Sequence, residues 1–368
     1  MTRRLRIVLF APHFAEYASR LALGLARDAE VLLFLDRRNA AQECDAELMA
    51  AVRARVEVVE FGSIGRSERA RALLSVVVRT TAFAPDVFHI QEQVDRLTLW
   101  VARFAARFHR LCLTVHDPRP HTGSDSVYAA ENAANREIIR RVSHAFHVHG
   151  SFCRGELTGV IGIGRPVLDT PHGVLLVPGP GENVAPEPGR VLMFGRMEAY
   201  KGLECLLDAA QILADRQVAF RLVLAGRGPE LSRLSGRIAG ARHIELIEGF
   251  LEAPMARREI GRACFVVAPY SNATQSGVVS ASFGGGRPVV ASRVGGLADA
   301  VIDGVNGLLV APSDPVLLAN ALEAVLRDAA LRARLAEGAA ASARGAFDWE
   351  HIAAQMLVFH RERLIREG

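Results

Sequence analysis

Arg196 and Lys201 stand five residues apart where an apolar run gives way to a helical pattern, in Arg190-Val-Leu-Met-Phe-Gly195-Arg196-Met-Glu-Ala-Tyr-Lys201-Gly202. Lys201 is the only lysine among the 44 lysines and arginines of the chain, so its single ammonium lies at this junction. Codon bias explains why lysines are scarce but not where the survivor sits. The run ending at Gly195 reads as a buried parallel strand, and the next helix begins just past Gly202. Free backbone N–H groups and the positive end of the helix dipole favour an anion at such a start. A guanidinium fork with an ammonium beside it suits a diphosphate.

The other chemistry-bearing segment of the first half is Leu111-Cys-Leu-Thr-Val115-His116-Asp117-Pro118-Arg-Pro-His121, a strand that ends in a polar turn whose prolines stop regular structure. A neutral His116 could accept a hydrogen bond from a hydroxyl, and Asp117 is the nearest carboxylate to orient it or an incoming acceptor. A lone strand-end histidine is often structural, and the histidine–aspartate pair tips the reading toward function. His147 and His149 flank Val148, and His172 precedes Gly173; these read as packing or turn residues. No spacing commits any histidine to a metal. The five cysteines (Cys44, Cys112, Cys153, Cys205, Cys264) show no paired spacing and read as reduced packing residues.

These groups need elements to hold them. Seven short apolar runs alternate with helical stretches in the first half: Leu5–Phe10, Val31–Leu35, Val56–Phe61, Val87–Ile90, Leu111–Val115, Ala145–Val148 and Val167–Thr170. A Pro- and Gly-rich segment, residues 179–189, then breaks the rhythm. Six further runs follow at Val191–Phe194, Phe220–Leu224, Ile244–Ile247, Cys264–Ala268, Val289–Ala291 and Leu308–Val310. Strand and helix in alternation predict α/β architecture: two doubly wound parallel-sheet, Rossmann-like domains facing a cleft, over residues 1–178 and 190–346. A tail over residues 347–368 reads as a helix packing back across both domains.

With 368 residues, half of them hydrophobic, the chain can bury two cores. No apolar run reaches the roughly 18 residues of a membrane span, and the N-terminus leads straight into a strand pattern, so the expected location is cytoplasmic. The net charge of +4 resides in the first half: 23 arginines against 19 acidic residues through residue 180, and balance thereafter. Such an excess is too small and diffuse for nucleic acid. It fits an acidic acceptor or peripheral contact with the inner face of an anionic membrane. Trp100, Phe104 and Phe108 share one helical stripe with Arg103, Arg107 and Arg110 beside it. Packing of that stripe on the sheet, with a solvated basic face, is the simpler expectation; docking on a bilayer is the other.

Gly195-Arg196 with Lys201-Gly202-Leu203, Gly226-Arg227-Gly228-Pro229, Gly286-Arg-Pro288 through Gly295-Gly296-Leu297, and Gly304-Val-Asn-Gly307 together resemble family 4 glycosyltransferases of the GT-B fold. The resemblance implies transfer of a sugar from a nucleoside-diphosphate sugar, base unspecified, with retention at the anomeric carbon and with neither metal nor cofactor. On it, Arg196 and Lys201 grip the diphosphate, Gly195 and Arg227 belong to the donor loops, and Gly249 and Phe250 lie where the backbone meets the nucleobase. His116 falls near the reacting carbon; His13, Tyr17 and His121 fall on the acceptor side, where the family's glycine-rich turn is absent. The family's two glutamates fall on Ala273 and Ala281, so both are missing. Asn272, Thr274, Gln275, Ser276, Gly277 and Val278 occupy the same turn, resembling a subgroup with Thr-Gln-Ser-Gly-Val there.

The expected acceptor is a glycan, a lipid-linked sugar or a small molecule. Two alternatives stand beside transfer: a nucleotide-sugar epimerase or phosphorylase on the same plan, and a non-catalytic donor-binding subunit.

Overall fold

The structure, a computed structural model, describes residues 3–119, 132–162, 164–179, 182 and 184–365. Each apolar run expected to be a strand forms one. In the first compact unit these are β1 (Leu5–Ala11), β2 (Ala29–Asp36), β3 (Glu57–Phe61), β4 (Val87–Gln91), β5 (Arg110–Thr114), β6 (Ala145–His149) and β7 (Val167–Thr170). They pair in the order β3-β2-β1-β4-β5-β6-β7, all parallel. Ile7 through Ala11 are fully buried, which is why β1 is a continuous hydrophobic run rather than an alternating one: helices cover both faces of a parallel sheet.

The second unit repeats the plan with β8 (Arg190–Arg196), β9 (Arg221–Arg227), β10 (Ile244–Glu248), β11 (Phe265–Ala268), β12 (Val289–Ser292) and β13 (Gly307–Val310). Their order is β10-β9-β8-β11-β12-β13, again all parallel. Strand order reverses beside β1 and β4 in one sheet and beside β8 and β11 in the other. In open α/β sheets, ligands bind off the carboxyl ends at such points.

The compact units divide at Pro171/His172 and Asp348/Trp349, ahead of the proline-rich segment at 179–189. Hydrogen bonds set the earlier boundary: Val174 N–H donates to the Phe347 carbonyl at 3.0 Å, and the Ser280 hydroxyl donates to the His172 carbonyl at 2.9 Å. The described part of the tail from Trp349 onward belongs to the first unit, where helix Trp349–Phe359 packs on helix Ala15–Leu25. Gly24 permits that approach, since a Cβ there would lie 2.6 Å from the Trp349 carbonyl oxygen.

One packing expectation is corrected. Helix Arg96–Phe108 buries Leu97, Thr98, Leu99, Val101, Ala102 and Ala105, whereas Trp100 is 53% and Phe108 65% exposed. The i, i+4, i+8 row from Leu97 is the one that meets the sheet, and it rotates the Trp100–Phe108 stripe outward, leaving Phe104 half-buried at its edge. Arg103 lies over the Trp100 ring and Arg107 over the Phe108 ring.

Candidate functional site

In the second unit, β8 ends at Gly195 and Arg196, and a 3-10 turn, Ala199–Lys201, leads into helix Leu203–Asp215. Gly202 joins them with φ +71°, and a Cβ there would fall 2.0 Å from the Pro269 carbonyl oxygen. Only glycine fits so close to the neighbouring loop in this left-handed conformation. The turn thus folds Lys201 back toward the strand, where it is buried at 7% exposure. Gly195 leaves room for its head group: a Cβ at Gly195 would lie 3.3 Å from Lys201 Nζ and 3.7 Å from Val278 Cγ2.

Lys201 therefore meets the first turn of helix Gly277–Gly284 at the point where strand order reverses. Ser276 precedes that helix without a side-chain capping bond, which leaves its N-terminal amides for an anion. Tyr270, a residue the sequence reading did not single out, sits under the ammonium, with Nζ 5.2 Å from its ring centroid, and shares a hydrogen bond with Ser276. Burial pushes the Tyr270 phenol up to about 12. Burial also lowers the Lys201 pKa, with Tyr200 opposing and the Arg196 charge adding to the fall. Ser271 N–H donates to the Tyr200 carbonyl at 2.8 Å, tying the two loops together.

The remaining donor-side residues lie along the same carboxyl edge. Arg227, at the end of β9, stacks over Phe250, which follows β10 and is 54% exposed. Gly249 N–H donates to the Gly226 carbonyl at 2.8 Å. In the turn after β11, Thr274 is buried, Asn272 and Arg196 are exposed, and the Gln275 Oε1 acceptor is buried without a partner. Ala273 and Ala281 are buried methyl groups, 1% and 2% exposed.

In the first unit His116 lies beyond β5 at 3% exposure. Its Nε2 is 2.9 Å from Gln91 Oε1 and its Nδ1 is 3.1 Å from His149 Nε2. Because the Gln91 oxygen only accepts, the pair is satisfied when His116 carries its proton on Nε2 and accepts from His149 on Nδ1. Phe14, at φ +60°, lies tilted by 34° against the His116 ring with centroids 4.0 Å apart, and Tyr17 meets it edge-on at 5.0 Å. A bulky residue in the left-handed region here takes the turn that a glycine would ordinarily make. Tyr17 is buried against His149 and Trp349 as well, and burial raises its phenol pKa; His13 is exposed beside Phe14.

Arg140 fixes the loop that carries His116 and Asp117. Its guanidinium forks onto Glu92 at 2.6 and 2.8 Å and donates to the Pro118 and Asp117 carbonyls at 2.8 and 3.2 Å. Sequence reading missed Gln91, His149 as a partner, and the Arg140–Glu92 clamp, because nothing local marks residues paired across 25 to 48 positions. His121 lies outside the described residues. His147 is satisfied by Thr114 and Thr170 at 3.1 and 2.8 Å, as a packing histidine would be.

Comparison with solved structures decides the architecture. HepE from Anabaena, in complex with UDP and glucose, superposes with a TM-score of 0.70 at 19% identity, covering 98% of this chain and 100% of that one. A glycosyltransferase from Rickettsia africae gives 0.68 at 14% identity, covering 99% and 100%. The fold is that of GT-B glycosyltransferases. Within it, residues 188–328 match the family described as Glycosyl transferases group 1, a stretch that holds every donor-side residue named above. A D-inositol 3-phosphate glycosyltransferase of Xylanimonas cellulosilytica is 37% identical over 179 residues, 45% of this chain. The chain covers 40% of that relative's length.

Proposed function

We propose that this GT-B protein is a retaining glycosyltransferase that takes its sugar from a nucleoside-diphosphate sugar. The observation that carries the reading is Lys201: a buried ammonium at the β8 end, against Gly195 and the uncapped start of helix Gly277–Gly284. A departing diphosphate gathers negative charge as the glycosidic bond breaks, and fixed cations with backbone amides stabilise it without a metal ion. Arg196 extends that charge toward solvent, Arg227 and Phe250 offer a surface for the nucleoside, and the partnerless Gln275 oxygen could accept from a donor hydroxyl. The UDP and glucose bound by HepE are the same class of ligand.

With alanine at 273 and 281, neither position can supply a nucleophile. Attack on the face the leaving phosphate vacates needs none, and retention follows from it. His116 is the candidate group beside the sugar; a hydroxyl bonding to its ring would take the place of Gln91 or His149. Asp117 is the candidate for orienting the acceptor, with His13 and Tyr17 on the acceptor side. The acceptor class proposed is a glycan, a lipid-linked sugar or a small molecule. Exposed Trp100 and Phe108, with Arg103 and Arg107 over their rings, support peripheral contact with an anionic membrane, hence a cytoplasmic place at its inner face.

The test is a screen of UDP-, GDP- and ADP-sugars against mixed acceptors, with products identified by mass and anomeric configuration. Formation of a product with the donor's configuration is expected. Donor binding with no turnover would favour a non-catalytic donor-binding subunit, and conversion without acceptor an epimerase or phosphorylase.

A further inference from the structure

Three metal-ligating side chains meet inside the first unit, away from the carboxyl edges just described. His89 on β4 and Cys112 on β5 are register partners in adjacent parallel strands, so both side chains leave the same face of the sheet. His360, just past helix Trp349–Phe359, comes down on that face. Its backbone is in a short π-helical turn, His360–Ile365, a form rare enough to mark a functional position. One ligand atom from each of the three lies within 4.8 Å of the others, and all three residues are fully buried.

The polar accounting does not close without an additional partner. His89 uses Nε2 on the Thr114 hydroxyl at 2.6 Å, and its Nδ1 has no partner. His360 has no partner at either ring nitrogen. Val87, Ala145, Phe359, Leu364 and Leu168 pack around the three, with Thr114 and His147 beyond His89. Leaving a buried polar atom unsatisfied costs about 1–3 kcal/mol, and three such atoms in one cage call for an explanation. The neutral imidazole is the form that ligates metal.

We infer that His89 Nδ1, Cys112 Sγ and a ring nitrogen of His360 bind one d10 metal ion, Cu(I) or Zn(II), which staples the C-terminal segment onto the first sheet. Two imidazoles and a thiolate are a soft to borderline donor set that suits these two ions. The Cys112 thiol loses its proton to solvent as the ion enters. With Cu(I) the site is then neutral, which an apolar cage favours. With Zn(II) a positive charge remains and calls for hydroxide as a fourth ligand. Thr114 serves as the outer partner that fixes the His89 tautomer, and it links onward to His147. A surface depression of about 480 Å³ lined by Leu168, His351, Phe359 and Glu362 shares Leu168 and Phe359 with the cage wall. The ion is structural and takes no part in the transfer proposed above.

The full chain, stripped with chelator, is titrated with Zn(II) under dye competition and separately with Cu(I) under bathocuproine competition, reading stoichiometry, melting temperature and proteolysis of the C-terminal tail. One equivalent of one of the two ions is expected to bind, raise the melting temperature and protect the tail. His360→Leu and Cys112→Val, both apolar in an apolar cage, should lose that equivalent. The idea fails if the unmodified chain binds neither ion, or if binding persists unchanged in both variants; the first result needs no variant to fold.

Discussion

Lys201 Nζ stands over the face of the Tyr270 ring, 5.2 Å from its centroid, at the point where the two halves of the second sheet part. The ring steers the ammonium, and burial weakens its hold on its proton. A base with a lowered pKa loses its charge earlier as pH rises. Affinity for a nucleoside diphosphate is therefore expected to fall on the alkaline side before an ordinary lysine, near about 10.4, would titrate. Tyr270, held at about 12, stays neutral through that range. Lys201→Arg should abolish the fall, and calorimetry across alkaline pH checks it; parallel pH profiles for both proteins would count against Lys201 as the titrating group.

Gly202→Ala should be costly. The left-handed turn and the 2.0 Å approach to the Pro269 carbonyl leave no place for a methyl group. Backbone strain alone is about 1–2 kcal/mol, so a loss of at least about 2 kcal/mol is expected in urea unfolding of the second unit, with weaker diphosphate binding. A change below about 0.5 kcal/mol, the range of ordinary surface substitutions, would show that the loop relaxes freely.

The Arg140–Glu92 pair, with side chains 5% and 8% exposed, should behave as a buried clamp. Arg140→Met leaves Glu92 buried without its partner and should destabilise the chain by about 3–5 kcal/mol. Arg140→Met with Glu92→Leu should recover much of that stability while leaving the His116–Asp117 loop unanchored and turnover low. Full recovery of turnover in the double variant would mean the clamp has no part in positioning that loop.

Arg103→Glu with Arg107→Glu should release the protein from anionic vesicles. Each arginine near such a surface contributes about 1 kcal/mol, so partitioning should drop at least about tenfold in co-sedimentation with phosphatidylglycerol vesicles and change little with neutral ones. Equal partitioning of both proteins would remove the membrane reading of the Trp100–Phe108 face.

Much of the architecture was legible because buried parallel strands are near-continuous apolar runs: all thirteen could be read from residues such as Leu5–Phe10 and Phe220–Leu224. Arg196 and Lys201 were legible for a similar reason, being local to a strand end and a helix start. What escaped was non-local or conformational. The outward turn of Trp100 depends on which helical row meets the sheet, Phe14 adopts a glycine-like φ that no residue type announces, and His116 finds its partners 25 and 33 positions away. Cys112 read as a packing residue because His360, across 248 positions, shares no motif with it.

The most direct measurement is calorimetric titration of nucleoside diphosphates into the full chain and its Lys201→Ala variant. A charge-assisted contact is worth about 1.5–3 kcal/mol, so at least one nucleoside diphosphate should bind the unmodified chain, with affinity reduced about 10- to 100-fold in the variant. Identical affinities in two equally folded proteins would contradict the assignment of the second unit's β8–β11 edge as a diphosphate site.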